Sequence, residues 1–81
     1  MSTSGMGSHH ALRRKLIQLP ENSWEKLSMR EREVLYLRYN LNNHDGNDYR
    51  TFLEVGKEMK LSHIEVNNLE FWALQKLGLH N

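Results

Sequence analysis

Asn67 and Asn68, with Ser62, His63, Ile64 and Phe71 around them, are the residues of this 81-residue chain whose types and spacing come nearest to doing chemistry. A carboxamide carries a donor and an acceptor side by side, so it can pair bidentately with an adenine edge, and an isoleucine can touch a thymine methyl. Set on the outward side of a helix, the six residues point to base-edge reading. The electrostatics oppose it. From Leu61 to Gln75 there is no Lys or Arg, and there are two Glu. Phosphate neutralisation carries most non-specific affinity for DNA, so that work falls to Arg50, Lys57 and Lys60, with Arg30, Arg32 and Arg38 behind them. Other chemistry is thin. His9 and His10 read as tail residues, and His63 as a solvated residue flanking a cap. His44, Asp45 and Asp48 share a loop, but a calcium loop needs more oxygen ligands in fixed register and a closing Glu. No Ser–His–Asp set or paired carboxylate can be assembled in so small a chain, and Cys is absent. We expect no enzyme, no metal and no cofactor.

The elements that position these residues are legible from three repeats of one local signal. Ser28-x-x-Glu31, Thr51-x-x-Glu54 and Ser62-x-x-Glu65 each read as a capping box, in which hydroxyl and carboxylate satisfy the orphan amides of a helix start. Helical periodicity follows each one and predicts helices over about 29–40, 52–59 and 63–77. Val34, Leu37 and Leu41 give the first its apolar stripe, Phe52, Val55 and Met59 the second, and Val66, Leu69, Ala73 and Leu77 the third. Gly78 is placed to cap the last helix, and the Asn-, Asp- and Gly-rich stretch 40–50 to break the first. The pair 52–59 and 63–77, joined by Lys60-Leu61-Ser62, has helix-turn-helix spacing, with Gly56 where the backbone runs close. Upstream, Pro20 suits a first helical turn. Residues 11–19 read as a short helix or linker, with Arg13, Arg14 and Lys15 left as a candidate basic contact with DNA or a partner. Residues 1–10 read as a disordered tail or tag remnant, and 20–79 as the domain proper. The fold expected is all-α, a small helical bundle containing a helix-turn-helix.

Composition agrees and narrows the partners. With 11 Lys+Arg against 10 Asp+Glu the formal charge is +1, so nothing global draws the chain to nucleic acid or membrane. No apolar run approaches the roughly 20 residues of a membrane span, and MSTSGMGSHH lacks the apolar stretch of a secretory leader.

The stretch LSMREREVLYLRYNL, followed by TFLEVGKEMKLS and then ALQKL, resembles region 4 of bacterial housekeeping-type sigma factors, over about Leu27 to Leu77. The resemblance implies a helical, non-enzymatic, metal-free domain of the bacterial cytoplasm. Such a domain docks on the beta flap of the RNA polymerase core and reads the promoter −35 element with the second helix of its helix-turn-helix. It would make Arg30, Arg32, Leu35, Arg38 and Tyr39 polymerase-facing. The reading helix departs from the family. Where sigma factors carry R-E-R-I/V-R-Q-I-E, this chain has His63 and Asn67 in place of two arginines and Glu65 in place of a third. Ile64 replaces the base-reading Glu, and Asn68 replaces Gln, while only Val66, Leu69 and Glu70 match. Lys60 replaces the usual turn glycine, where a positive φ is expected.

Two readings stay open. The helix reads DNA weakly, with an altered preference, or its outer face binds protein. Ile64, Phe71 and Trp72 would then form the partner patch, with self-association through that apolar face as one form of it. Alternatively, Phe71 and Trp72 pack against the N-terminal helix around Trp24.

Overall fold

Each of the three capping boxes forms. The Ser28 hydroxyl accepts from the Glu31 amide at 3.2 Å, and the Glu31 carboxylate accepts from the Ser28 amide at 2.8 Å. Thr51 and Glu54 repeat this at 3.1 and 2.9 Å, as do Ser62 and Glu65. The computed structural model describes residues 4–41 and 49–79. Among them are five helices and no strand: α1 (Ser4–Gln18), α2 (Glu21–Trp24), α3 (Met29–Arg38), α4 (Phe52–Met59) and α5 (His63–Leu77). Each capped helix begins at the residue that follows its cap, Ser28, Thr51 or Ser62. Gly78 ends α5 in the left-handed conformation, φ 73°. The loop holding His44, Asp45 and Asp48 lies outside the described residues, as do residues 1–3.

Two apolar clusters share α3 between them. Val34, Val55 and Val66, each fully buried, join α3, α4 and α5 into the helix-turn-helix core, with Phe52, Met59, Leu61 and Leu69 around them. On the other side, Leu35 of α3 and Tyr39 at its C-cap pack with Leu16 of α1, with Leu27 between α2 and α3, and with Ala73 of α5. Burying a Val or Leu side chain is worth about 1.5–3 kcal/mol, so each cluster is a substantial fraction of what a small domain needs.

Of the short helix or linker expected over residues 11–19, the helix is what forms, and Leu16, 1% exposed, belongs to the core. α1 also starts at Ser4, inside the stretch expected to be a tail. Once Leu12 and Leu16 anchor a helix, each further residue adds one hydrogen bond, and Gly5 and Gly7 oppose this by only about 1 kcal/mol each. Of the basic run, Arg13 turns inward. Its Nε donates to the Tyr39 carbonyl at 2.9 Å and its Nη2 to the Asn40 carbonyl at 3.3 Å, closing the C-terminus of α3. Arg14 and Lys15 remain exposed.

The turn between α4 and α5 is tight because Gly56 lets the Leu61 backbone fold back onto it. The Leu61 amide donates to the Gly56 carbonyl at 2.8 Å, and a Cβ on Gly56 would lie 2.5 Å from the Leu61 oxygen. Only glycine fits. Lys60 carries the left-handed residue of the turn, φ 61° and ψ 44°, which a side chain disfavours by about 1 kcal/mol. Lys60→Gly is therefore expected to raise the unfolding free energy by about 1 kcal/mol, read from the urea midpoint. No gain, or a loss, would mean that the lysine side chain makes a compensating contact.

Candidate functional site

What aims α5 is a charged group in the interior. Arg38 Nε donates to Glu70 Oε1 at 2.7 Å, and Arg38 Nη2 reaches Glu70 Oε2 at 3.4 Å. The Tyr39 hydroxyl donates to the same Oε2 at 2.9 Å. Arg38 Nη1 donates to the Arg50 carbonyl at 2.8 Å while the Arg50 amide donates back to the Arg38 carbonyl at 3.1 Å. The guanidinium also lies 4.0 Å from the centre of the Phe52 ring. One arginine thus ties the end of α3 to the start of α4 and to the middle of α5. Burial would release its proton more readily, but Glu70 overrides this and holds the Arg38 pKa above its ordinary value. Tyr39 is pushed up by burial first and by Glu70 second.

Glu31 and Lys76 make a second tie, 3.0 Å, between α3 and the last turn of α5. Burial raises the Glu31 carboxyl. The Ser28 amide, Lys76 and the Ser28 hydroxyl together outweigh it, leaving the pKa below 4.5. The two shifts predict a stability plateau with two edges. A folded Glu31 binds its proton more weakly than an unfolded one, so its contribution is present above pH 4.5 and lost as pH falls through the lowered folded value. Tyr39 binds its proton more tightly when folded, so its contribution is full below its ordinary 10 and lost as pH rises beyond it. Denaturation midpoints across pH should show both edges. Glu31→Gln should soften the acid edge and Tyr39→Phe the alkaline one. Unchanged edges in both variants would contradict this assignment.

These contacts correct the expected polymerase-facing set. Leu35 is fully buried and Tyr39 is 2% exposed, because α3 is apolar on two sides. Arg38 is committed to Glu70. Arg30 is exposed, and it borders a shallow groove with Leu61, Glu65, Asn68 and Leu69. Arg32 lies in a larger groove of about 390 Å³ on the outer side of α3, with Met29, Glu33, Tyr36 and Leu37. Its Nε is buried with no hydrogen-bond partner among the described residues. Met29, Glu33 and Tyr36 were not singled out from sequence, and Leu37 was read only as part of the apolar stripe. Met29, 84% exposed, was the available signal, an apolar residue at the start of a capped helix and off its apolar stripe.

The residues expected to face DNA share the cap and the first turns of one helix. Ser62, His63, Ile64, Asn67, Asn68 and Phe71 are exposed on α5. Ile64, Phe71 and Trp72 are 60%, 41% and 55% exposed, and the Phe71 and Trp72 rings meet edge to face at 5.1 Å. Packing of this pair around Trp24 is not what forms, since Trp24 meets Tyr36 of α3 at 5.3 Å. Of the supporting cations, Arg50, Lys57 and Lys60 are exposed, and Arg50 lies 3.9 Å from Glu58. The first cation of α5 after His63 is Lys76, already engaged by Glu31. A further obstacle to phosphate is local. Helix N-termini bind anions through free amides, but here Glu54 and Glu65 place their own carboxylates on the caps of α4 and α5.

A capped eight-residue helix, a glycine-dependent turn and a longer helix aimed by a third define a helix-turn-helix domain, the class of fold that presents one helix to a DNA groove. The Sigma-70, region 4 family model matches residues 25–78. The chain belongs to that family, whose members are non-enzymatic transcription-factor domains working with RNA polymerase and promoter DNA. No curated protein and no solved structure shows a significant match. Among the described residues, no helix is long and apolar enough to cross a membrane.

Proposed function

We propose that this domain acts in bacterial, cytoplasmic transcription initiation, docking on the beta flap of RNA polymerase with weakened or altered recognition of the −35 element. The observation that carries this reading is the contrast between scaffold and reading face. The valine core, the turn and the Arg38–Glu70 tie are those of a working helix-turn-helix. The face it holds out carries no cation from Ser62 to Gln75. The α3 groove supports the docking half, with exposed apolar Met29 and Tyr36 beside the partnerless Arg32 Nε. Arg30 remains in the polymerase-facing set, and Leu35, Arg38 and Tyr39 leave it.

Titration of the isotopically labelled 81-residue chain tests both halves. A flap fragment should shift amides of α3 around Met29–Leu37. A −35 duplex should act like a scrambled duplex, with any effect lost at physiological salt. Sequence-selective shifts at Ser62–Phe71 that survive salt would instead show full promoter reading. Silence toward the flap would remove the docking half.

A second reading is favoured by Ile64, Phe71 and Trp72 being exposed together on α5. In it the domain is a stand-alone sigma-like regulator whose α5 binds a protein partner instead of DNA.

A further inference from the structure

The exposed side of α5 repeats with a spacing of its own. Val66, Glu70 and Ala73 point into the domain. Opposite them, Ile64, Asn68, Phe71 and Gln75 stand at intervals of 4, 3 and 4, and all four are exposed. That interval is the seam of a two-helix coiled coil, with Ile64 and Phe71 in d positions and Asn68 and Gln75 in a positions. Of the residues flanking the seam, Asn67, Trp72 and Leu74 are uncharged, Glu65 is held in the Ser62 cap, and Trp72 leans on Phe71.

We propose that the outer face of α5 docks a second copy of this chain, helix against helix, parallel and in register. The inference rests on the protein-binding reading of α5 and names its partner. Three features select a second copy over other occupants. An Asn at an a position has a donor and an acceptor that an identical Asn in the same layer satisfies, and this pairing specifies two strands in register. The a and d positions carry no charge, so two copies meet along them without repulsion, and the charges nearby, Glu65 and the Arg30 that borders Asn68, are of opposite sign. In-register pairing also puts Ile64 on Ile64 and Phe71 on Phe71, so apolar layers alternate with amide layers. Fifteen residues make a helix about 22 Å long, too short for a standard interface, so the dimer is weak, on the order of micromolar or above. It covers Ile64, Asn68 and Phe71 of the reading face, so dimer formation and DNA binding exclude one another.

Sedimentation equilibrium of the full chain over a concentration series is the test, with far-UV circular dichroism monitoring the fold of each variant. The average mass should climb from monomer toward dimer. Ile64→Ser should raise the dissociation constant by at least about tenfold. Asn68→Lys, at an exposed position, should abolish the dimer by placing like charges in one layer. Because the chain has no Cys, Gln75→Cys gives a clean check on orientation, and mild oxidation should link two copies through residue 75 only if the helices are parallel. A chain that stays monomeric to about 1 mM, or a dimer indifferent to both substitutions, overturns the proposal. A cysteine variant that dimerises but does not cross-link overturns the parallel arrangement. If the chain is monomeric yet a polymerase subunit shifts α5 amides, the protein-binding reading survives and the second copy does not.

Discussion

Glu70→Ala is expected to lower the unfolding free energy by about 3 kcal/mol, because breaking one side of a buried ion pair leaves the other charge without a counter-ion. Arg38 and Glu70 are only 11% and 10% exposed, so solvent cannot take the place of the lost carboxylate. The Tyr39 hydroxyl loses the acceptor at 2.9 Å in the same substitution. Against the roughly 5–15 kcal/mol by which domains are stable, and nearer the low end for one this small, that is a large part of the total. Tyr39→Phe should cost only about 1 kcal/mol, since it removes one hydrogen bond and leaves the ion pair whole. Replacing Arg38 and Glu70 together by apolar residues should be milder than Glu70→Ala alone, because no charge is then stranded. Urea midpoints of the four proteins decide the matter. A Glu70→Ala change below about 1 kcal/mol would mean that the pair is solvated and that α5 is held by its apolar contacts alone.

Returning three cations to the reading face should have the largest effect on binding. In the triple variant His63→Arg, Glu65→Arg, Asn67→Arg, affinity for a −35 duplex at low salt should rise by about a hundredfold. The slope of log affinity against log salt should steepen by about 0.9 for each phosphate newly neutralised. Loss of the Ser62–Glu65 box should cost about 1 kcal/mol of stability, well short of unfolding the domain. Charge and position act together here. These residues are already exposed on α5, and Glu65 now repels the backbone that an arginine would attract. Fluorescence anisotropy at several salt concentrations gives both quantities. A variant with arginines in place and no gain in affinity would show that α5 cannot enter a groove, so that its presentation, not its charge, has changed.

Much of this protein was written locally. The three boxes marked the starts of α3, α4 and α5, because a cap is a matter of four consecutive residues. Gly78 and Lys60 announced their left-handed backbone in the same way, one by residue type and the other by standing where a glycine is usual. The stripe Val34, Val55 and Val66 followed from periodicity, and the exposed reading set followed from the opposite side of the same periodicity.

What escaped were contacts between distant residues. Arg38 and Glu70 stand 32 residues apart, and Lys76 and Glu31 are 45 apart. No local pattern ties such pairs, so Arg38 and Tyr39 read as surface residues of α3 when both serve α5. Leu35 was misplaced for a related reason. A helix with one apolar stripe shows which side is in, but α3 is sandwiched, and only the arrival of α1 with Leu16 turns its second side into core. Sequence alone therefore determined the helices, the turn and the outer face of α5 without Lys or Arg, all of which depend on near neighbours. The tertiary structure alone decided which charges are buried, which side of α3 remains free and how α5 is aimed, because those depend on which segments the fold brings together.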